Sequence, residues 1–327
     1  MSPEEPTDMT IARPLLVASL VVLTLSCSQY QPFDSISHLR GEYAQRLGEE
    51  GGAQIEVPYE LSNEIMGEIA GRLSESGSEK ARTQAIVDFV FGVGGLDLQY
   101  QLTPTRSAIE TYHAREGNCL SFVNLFVGIA RSQRLNPYYV EVRDQQRWTY
   151  KNGVVVSQGH IVAGMVVDGQ MSTFDFLPYR PKSYRNFNPI DDLTATAHFY
   201  NNLGAEALLA DHLEGAEEYL SLATELAPDF DKAVNNLGVL YLRTDKIGAA
   251  VELYDRGLAA DPGNVAFLSN KARALQLSGR SDEALELLNQ IEDTKQTSPF
   301  FFVYRAELAM SQGDFEEALR QLRNGLR

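Results

Sequence analysis

Cysteine is scarce in this 327-residue chain: Cys27 and Cys119 are the only two, so at most one disulfide can form. Basic charge is short as well. Lys and Arg total 28 against 44 Asp and Glu, and the net charge of -16 repels a polyanion, which argues against nucleic acid as a partner. The longest uncharged apolar run near the N-terminus, PLLVASLVVLTLS from Pro14 to Ser26, has 13 residues, fewer than the roughly 20 that a membrane-spanning helix needs. Five histidines are scattered along the chain and no glycine-rich phosphate loop is present, so neither a metal centre nor a nucleotide or other cofactor is expected. What is abundant is core material. A hydrophobic content of 44% over this length predicts a soluble globular protein of two domains.

The apolar run ends at Cys27 and matches the core of a secretory signal peptide. Glu4, Glu5 and Asp8 precede Arg13, whereas a start at Met9 leaves MTIAR with one net positive charge, which points to Met9 as the start. The segment resembles a bacterial lipoprotein signal, with Ser26 as the small residue before a lipidated Cys27. The resemblance implies a signal over residues 1–26 and a lipid-anchored protein facing the periplasm. Ser28 favours the outer membrane. An uncleaved anchor and an ordinary cleaved signal are the alternatives.

Lipidation would consume Cys27 and leave Cys119 as an unpaired thiol in an exported protein, which marks it for reactivity. A small buried apolar residue is the other reading. In AREGNCLSFVNLFVGIARS, Asn118 is a helix N-cap and Leu120, Val123, Phe126, Val127 and Ile129 follow at helical spacing. Cys119 is then the first residue of a buried helix, where the first-turn N–H groups and the macrodipole favour a thiolate, and its own N–H can receive the oxygen of a tetrahedral intermediate. Gly117 leaves the approach open.

Such a nucleophile needs a base. His160 opens HIVAGMVVDGQMSTFDFLP, which reads as strand, Asp-Gly turn, strand, while His113 is a second choice. With Asp168 and Gly169 in a two-residue type I′ turn, opposed residue numbers sum to 337. Asp175 then shares a face with His160 as its diagonal neighbour, roughly 7 to 8 Å away between backbones, and can orient the ring.

At these residues the chain resembles the transglutaminase-like superfamily of papain-related folds, on EGNCLSFVNLFVGIARSQRLNPYYVEV, GHIVAGMVV and MSTFDFLP. The resemblance covers roughly residues 60–180 and implies an α+β papain/transglutaminase-like domain with Cys119 as nucleophile, His160 as base and Asp175 as orienter. RDQQRWTYKNGVVVSQG departs from the family pattern as a hairpin insertion, with an Asn152-Gly153 turn, that could partly cover the cleft. Gln99 and Tyr100 are candidates for a second oxyanion donor.

Residues 27–59 read as an N-terminal helical or linker segment and residues 181–196 as a proline-punctuated linker. Beyond it a period of 34 appears: Gly204, Gly238, Ala272 and Ala306 form one column, and Ala216, Ala250, Ala284 and Ala318 another. Pro228 and Pro262 end the first two units. These units resemble four tetratricopeptide repeats over residues 197–327, an all-α solenoid, and the resemblance implies that Asn202, Asn236 and Asn270 face a concave groove and hydrogen-bond a peptide. No extra capping helix follows the fourth unit, so a second copy could cover that end as a homodimer.

The expected function is cysteine-dependent acyl transfer, as amide hydrolysis or transglutaminase-type transfer, on a peptide or protein substrate, with the repeats recruiting substrate or a protein partner. A catalytically inactive scaffold for protein–protein interaction at the cell envelope is the alternative.

Overall fold

The computed structural model describes residues 35–73, 76–92, 94–151, 154–177, 186–293 and 299–325. The expected signal segment, the lipidated Cys27 and the Asn152-Gly153 turn lie outside them. Small polar residues start the N-terminal helices. Ser35, Ser62 and Ser78 accept first-turn N–H groups at the heads of α1 (Ile36–Gln54), α2 (Asn63–Arg72) and α3 (Glu79–Phe91). A short strand β1 (Gln99–Tyr100) follows, then α4 (Ala108–Ala114), which opens on a capping box between Ser107 and Glu110. Next come β2 (Glu116–Gly117), parallel to β1, and the central helix α5 (Cys119–Ser132).

Residues Leu120 through Ala130 of α5 are all buried. Its Phe126 ring lies 4.9 Å from Phe174 and 5.6 Å from Phe176, which seats the helix against a four-stranded antiparallel sheet. That sheet comprises β3 (Pro137–Lys151), β4 (Val154–Val167), β5 (Gln170–Phe174) and β6 (Phe187–Ile190), in the order β5-β4-β3-β6. Asp168 and Gly169 both take positive φ, as a type I′ turn requires, and every β4–β5 pair from Val167↔Gln170 to Ala163↔Phe174 follows the predicted register.

The stretch read as a linker over residues 181–196 contains β6 and the start of the next helix. Pro189 sits in β6 without breaking the sheet because this is an edge strand, where one row of N–H groups has no ladder partner. The segment 27–59 contributes to the core through Leu39 and Tyr43, and the Tyr43 hydroxyl lies 2.7 Å from Thr196 Oγ1.

Four helix pairs complete the chain: α6 (Asp192–Leu209) with α7 (Leu213–Leu226), α8 (Asp231–Arg243) with α9 (Ile247–Ala260), α10 (Val265–Leu277) with α11 (Ser281–Asp293), and α12 (Pro299–Ser311) with α13 (Phe315–Gly325). The small-residue column has a steric cause. A Cβ on Gly238 would stand 2.5 Å from the Tyr254 ring, so α8 and α9 can approach this closely only without one.

The long β3–β4 hairpin reaches the repeats, with β4 packed against α6, α8 and α10, the first helices of three units. Val156, within the insertion, is 2% exposed and belongs to the same apolar cluster as Leu208, Val234 and Leu237. One continuous core joins α1, α5 and the sheet to Ala223, Leu226 and Phe230 of the repeats. Among the described residues no helix is long and apolar enough to cross a membrane.

Candidate active site

Asn118 caps α5 by accepting the Ser121 N–H at 3.0 Å, which leaves Cys119 as the first helical residue, partly exposed. His160, 5% exposed on β4, places Nε2 3.3 Å from Asp175 Oδ1. The ring is also hydrogen-bonded to the Cys119 thiol. Asp175 is held in turn, since its Oδ1 accepts the Leu177 N–H at 3.1 Å. The structure thus brings the three expected residues together. Burial disfavours the imidazolium, but the hydrogen bonds to Asp175 and Cys119 outweigh it and raise His160 to about 10.

Other candidates land elsewhere. His113 is exposed on α4, edge-on to Tyr112. Gly117 is buried, and a Cβ there would come within 2.6 Å of Ser121 Cβ; it serves close packing beside the cap rather than an open approach. Gln99 and Tyr100 form β1 beside Glu116 and Gly117, and the Gln101 N–H donates to the Gly117 carbonyl at 2.9 Å, so this strand flanks the chain entering Cys119. The Tyr100 ring packs edge-on against Phe122.

The groove assignment of the asparagines is corrected. Asn236 and Asn270 are fully buried and Asn202 is 7% exposed. Asn236 Nδ2 donates to Asn201 Oδ1 and Asn270 Nδ2 to Asn235 Oδ1, each at 2.8 Å, while the Tyr304 hydroxyl donates to Asn270 Oδ1 at 2.8 Å. The two columns form a ladder between successive units. The amides of Asn236 and Asn270 tie repeat to repeat through Asn201 and Asn235.

Two polar clusters were not anticipated. Lys232 Nζ on α8 lies 2.6 Å from Glu141 Oε1 on β3, and His198 Nε2 on α6 lies 3.9 Å from the same oxygen; all three side chains are buried. Burial alone would raise Glu141, but Lys232 brings it down to about 2, whereas burial drives His198 down to about 3 and keeps it neutral. The signal was a carboxylate in the otherwise apolar strand segment YYVEV. In the second cluster the Thr105 N–H and hydroxyl both donate to the Glu206 carboxylate on α6. No spacing rule links residues 101 positions apart. Among the described residues, no group of three His, Cys, Asp or Glu side chains could hold a metal ion.

Three tetratricopeptide-repeat family models match residues 201–265, 244–299 and 301–324. The chain is similar to the uncharacterized protein ycf37 of Pyropia yezoensis, 27% identical over 99 residues; the match covers 30% of this chain and spans about half of that relative, 51%. Among solved structures it is similar to MamA AMB-1, 24% identical with a TM-score of 0.31 over 39% of this chain and 76% of that one. A second is Pseudomonas aeruginosa pilF, 18% identical with a TM-score of 0.32 over 40% and 63%. The family matches and the four helix pairs agree that residues 201–324 of this chain are an array of tetratricopeptide repeats.

Proposed function

We propose that the chain is a cysteine-dependent acyl-transfer enzyme of the transglutaminase-like, papain-related type, acting on an amide of a peptide or protein. The observation that carries this reading is the juxtaposition of Cys119, His160 and Asp175 at a helix N-terminus. The Cys119 thiolate attacks the amide carbon, and the carbonyl electron pair moves to oxygen beside the helix's first N–H groups. His160 then gives its proton to the departing amine as the C–N bond breaks, leaving a thioester. Water or a second amine attacks the thioester and yields its proton to the imidazole, and the C–S bond breaks to restore the thiolate. Asp175 holds the ring by Nε2 throughout and stabilises the imidazolium whenever the ring is protonated.

The repeat matches support a second reading, a scaffold for protein–protein interaction in which the α+β domain does no chemistry. Tetratricopeptide arrays supply extended binding surfaces, so a protein partner belongs to both readings. On both, the apolar run ending at Cys27 supports export and lipid anchoring in the cell envelope. The exposed Phe315, Leu319 and Leu322 of α13 support docking of a second copy at that end.

Iodoacetamide separates the two readings. An activated Cys119 is alkylated well below pH 8, with a midpoint under the ordinary thiol value of about 8.5. His160→Ala should move that midpoint up toward the ordinary value. A Cys119 that reacts only above pH 8 would leave the scaffold reading.

A further inference from the structure

Both halves of the proposed dyad are braced by the repeats. Asn118, whose Oδ1 caps α5, donates through Nδ2 to Thr105 Oγ1 at 2.6 Å. Thr105 Oγ1 donates in turn to Glu206 Oε1 at 2.7 Å, and the Thr105 N–H lies 2.9 and 3.0 Å from the two oxygens of that carboxylate. Thr105 and Asn118 are 3% and 5% exposed, so their hydrogen bond at the cap of the nucleophile helix is screened from water, while Glu206 on α6 is half-buried. On the base side, Glu141 pairs with Ile161 in the register that sets Val142 opposite His160. Its carboxylate is held by Lys232, and a Cβ on Gly159 would stand 3.3 Å from both Lys232 Cε and His198 Cε1. The backbone just before His160 therefore rests on two side chains of the first two repeats.

We infer that Glu206 and Lys232 are positioning residues for the Cys119–His160 pair, and that the repeat array completes the active-site scaffold in addition to any binding it performs. The inference rests on the acyl-transfer reading. The physical reason lies in the hydrogen-bond inventory. An Asn side chain has two chemically different ends, and only an acceptor on Nδ2 keeps Oδ1 aimed into the helix. A displacement of about 1 Å at a reacting centre is enough to cost on the order of a hundredfold in rate. The charged groups around this region are Glu206 itself, which burial pushes up against the opposing Thr105 hydrogen bonds and Arg106, and Glu116, which pairs with Arg106 at 2.8 Å; the thiol itself meets His160, backed by Asp175.

The test uses the full chain and follows alkylation of the Cys119 peptide by iodoacetamide against pH, with folding checked by circular dichroism and thermal unfolding. Thr105→Val keeps the side-chain shape and the Glu206 side chain but removes the hydroxyl that joins Glu206 to Asn118. It should raise the alkylation midpoint by about one unit, roughly tenfold less thiolate at a pH well below the wild-type midpoint. Thr105→Ser, which retains the hydroxyl, should keep the wild-type midpoint. Lys232→Met combined with Glu141→Gln removes the second brace without leaving a buried charge and should produce a similar rise. Should Thr105→Val fail to fold, Asn118→Ser, which still caps the helix but lacks the Nδ2 arm, gives the same readout. A wild-type midpoint below 8.5 that neither brace variant moves would overturn the inference and leave the acyl-transfer reading intact. A wild-type midpoint at the ordinary thiol value would remove that reading itself.

Discussion

His160 is a buried imidazole that keeps its proton far above neutrality, because Asp175 and Cys119 each favour the charged ring and together outweigh burial. The sign of the resulting stability follows from the two reference values. The folded pKa of about 10 lies above the ordinary 6.5, so the contribution is complete below pH 6.5 and is lost as the pH rises through 10. Asp175→Asn removes a charged partner and should bring the midpoint of the His160 ring resonances, followed by NMR, down toward 6.5. The loss of stability to urea between pH 6 and pH 10 should be smaller in that variant than in the wild type. An unchanged midpoint would show that Asp175 does not govern the ring.

At the scale of elements, each repeat pair is tied to the next by the asparagine ladder rather than by apolar contact alone. Asn236 serves two neighbours, donating to Asn201 and accepting from Asn235 Nδ2 at 3.3 Å. Asn236→Ala leaves those groups buried and without that partner, which should cost about 1–3 kcal/mol in chemical denaturation. Exchange of α8 amides should rise with it, since local opening follows local stability. A variant as stable as the wild type would reduce the ladder to a by-product of packing. The β3–β4 hairpin is the other long-range element. Its register shifts between Val142 and Arg147, and beyond that irregularity β4 packs against the repeat helices, which gives the insertion a structural place along the array.

At the scale of the molecule, the α+β part and the first repeats share a single core, and polar ties reinforce it. Arg131, near the end of α5, forms a two-pronged pair with Asp192 at the head of α6, both distances 2.8 Å, while the Tyr59 hydroxyl donates to the same carboxylate at 3.0 Å. Cleavage between the two parts would expose apolar surface on each. The envelope proposal makes its own prediction at this scale: with Cys27→Ala, the protein should leave the membrane fraction for the soluble one. Unchanged membrane partition would count against lipid anchoring, without touching the geometry around Cys119.

Periodicity and turn chemistry made much of this architecture legible in the sequence. The run after Asn118 announced the buried helix and its cap, since a capping side chain acts within three residues of its target. Asp168-Gly169 determined the β4–β5 register, because a two-residue turn leaves no freedom in the pairing; β5 ends at Phe174, so the contact between His160 and Asp175 lies just beyond the paired ladder. The 34-residue columns announced the repeats through their need for small residues at close contacts. Tertiary structure alone decided which polar groups meet. Lys232 is 91 residues from Glu141, and Glu206 is 101 from Thr105; such pairs arise from how the layers stack, which no local pattern encodes. The asparagines show the same limit from the other side. Their column was visible in the sequence, but whether it faced a groove or the neighbouring repeat depended on how the helices packed, and packing buried Asn236 and Asn270 against their own kind.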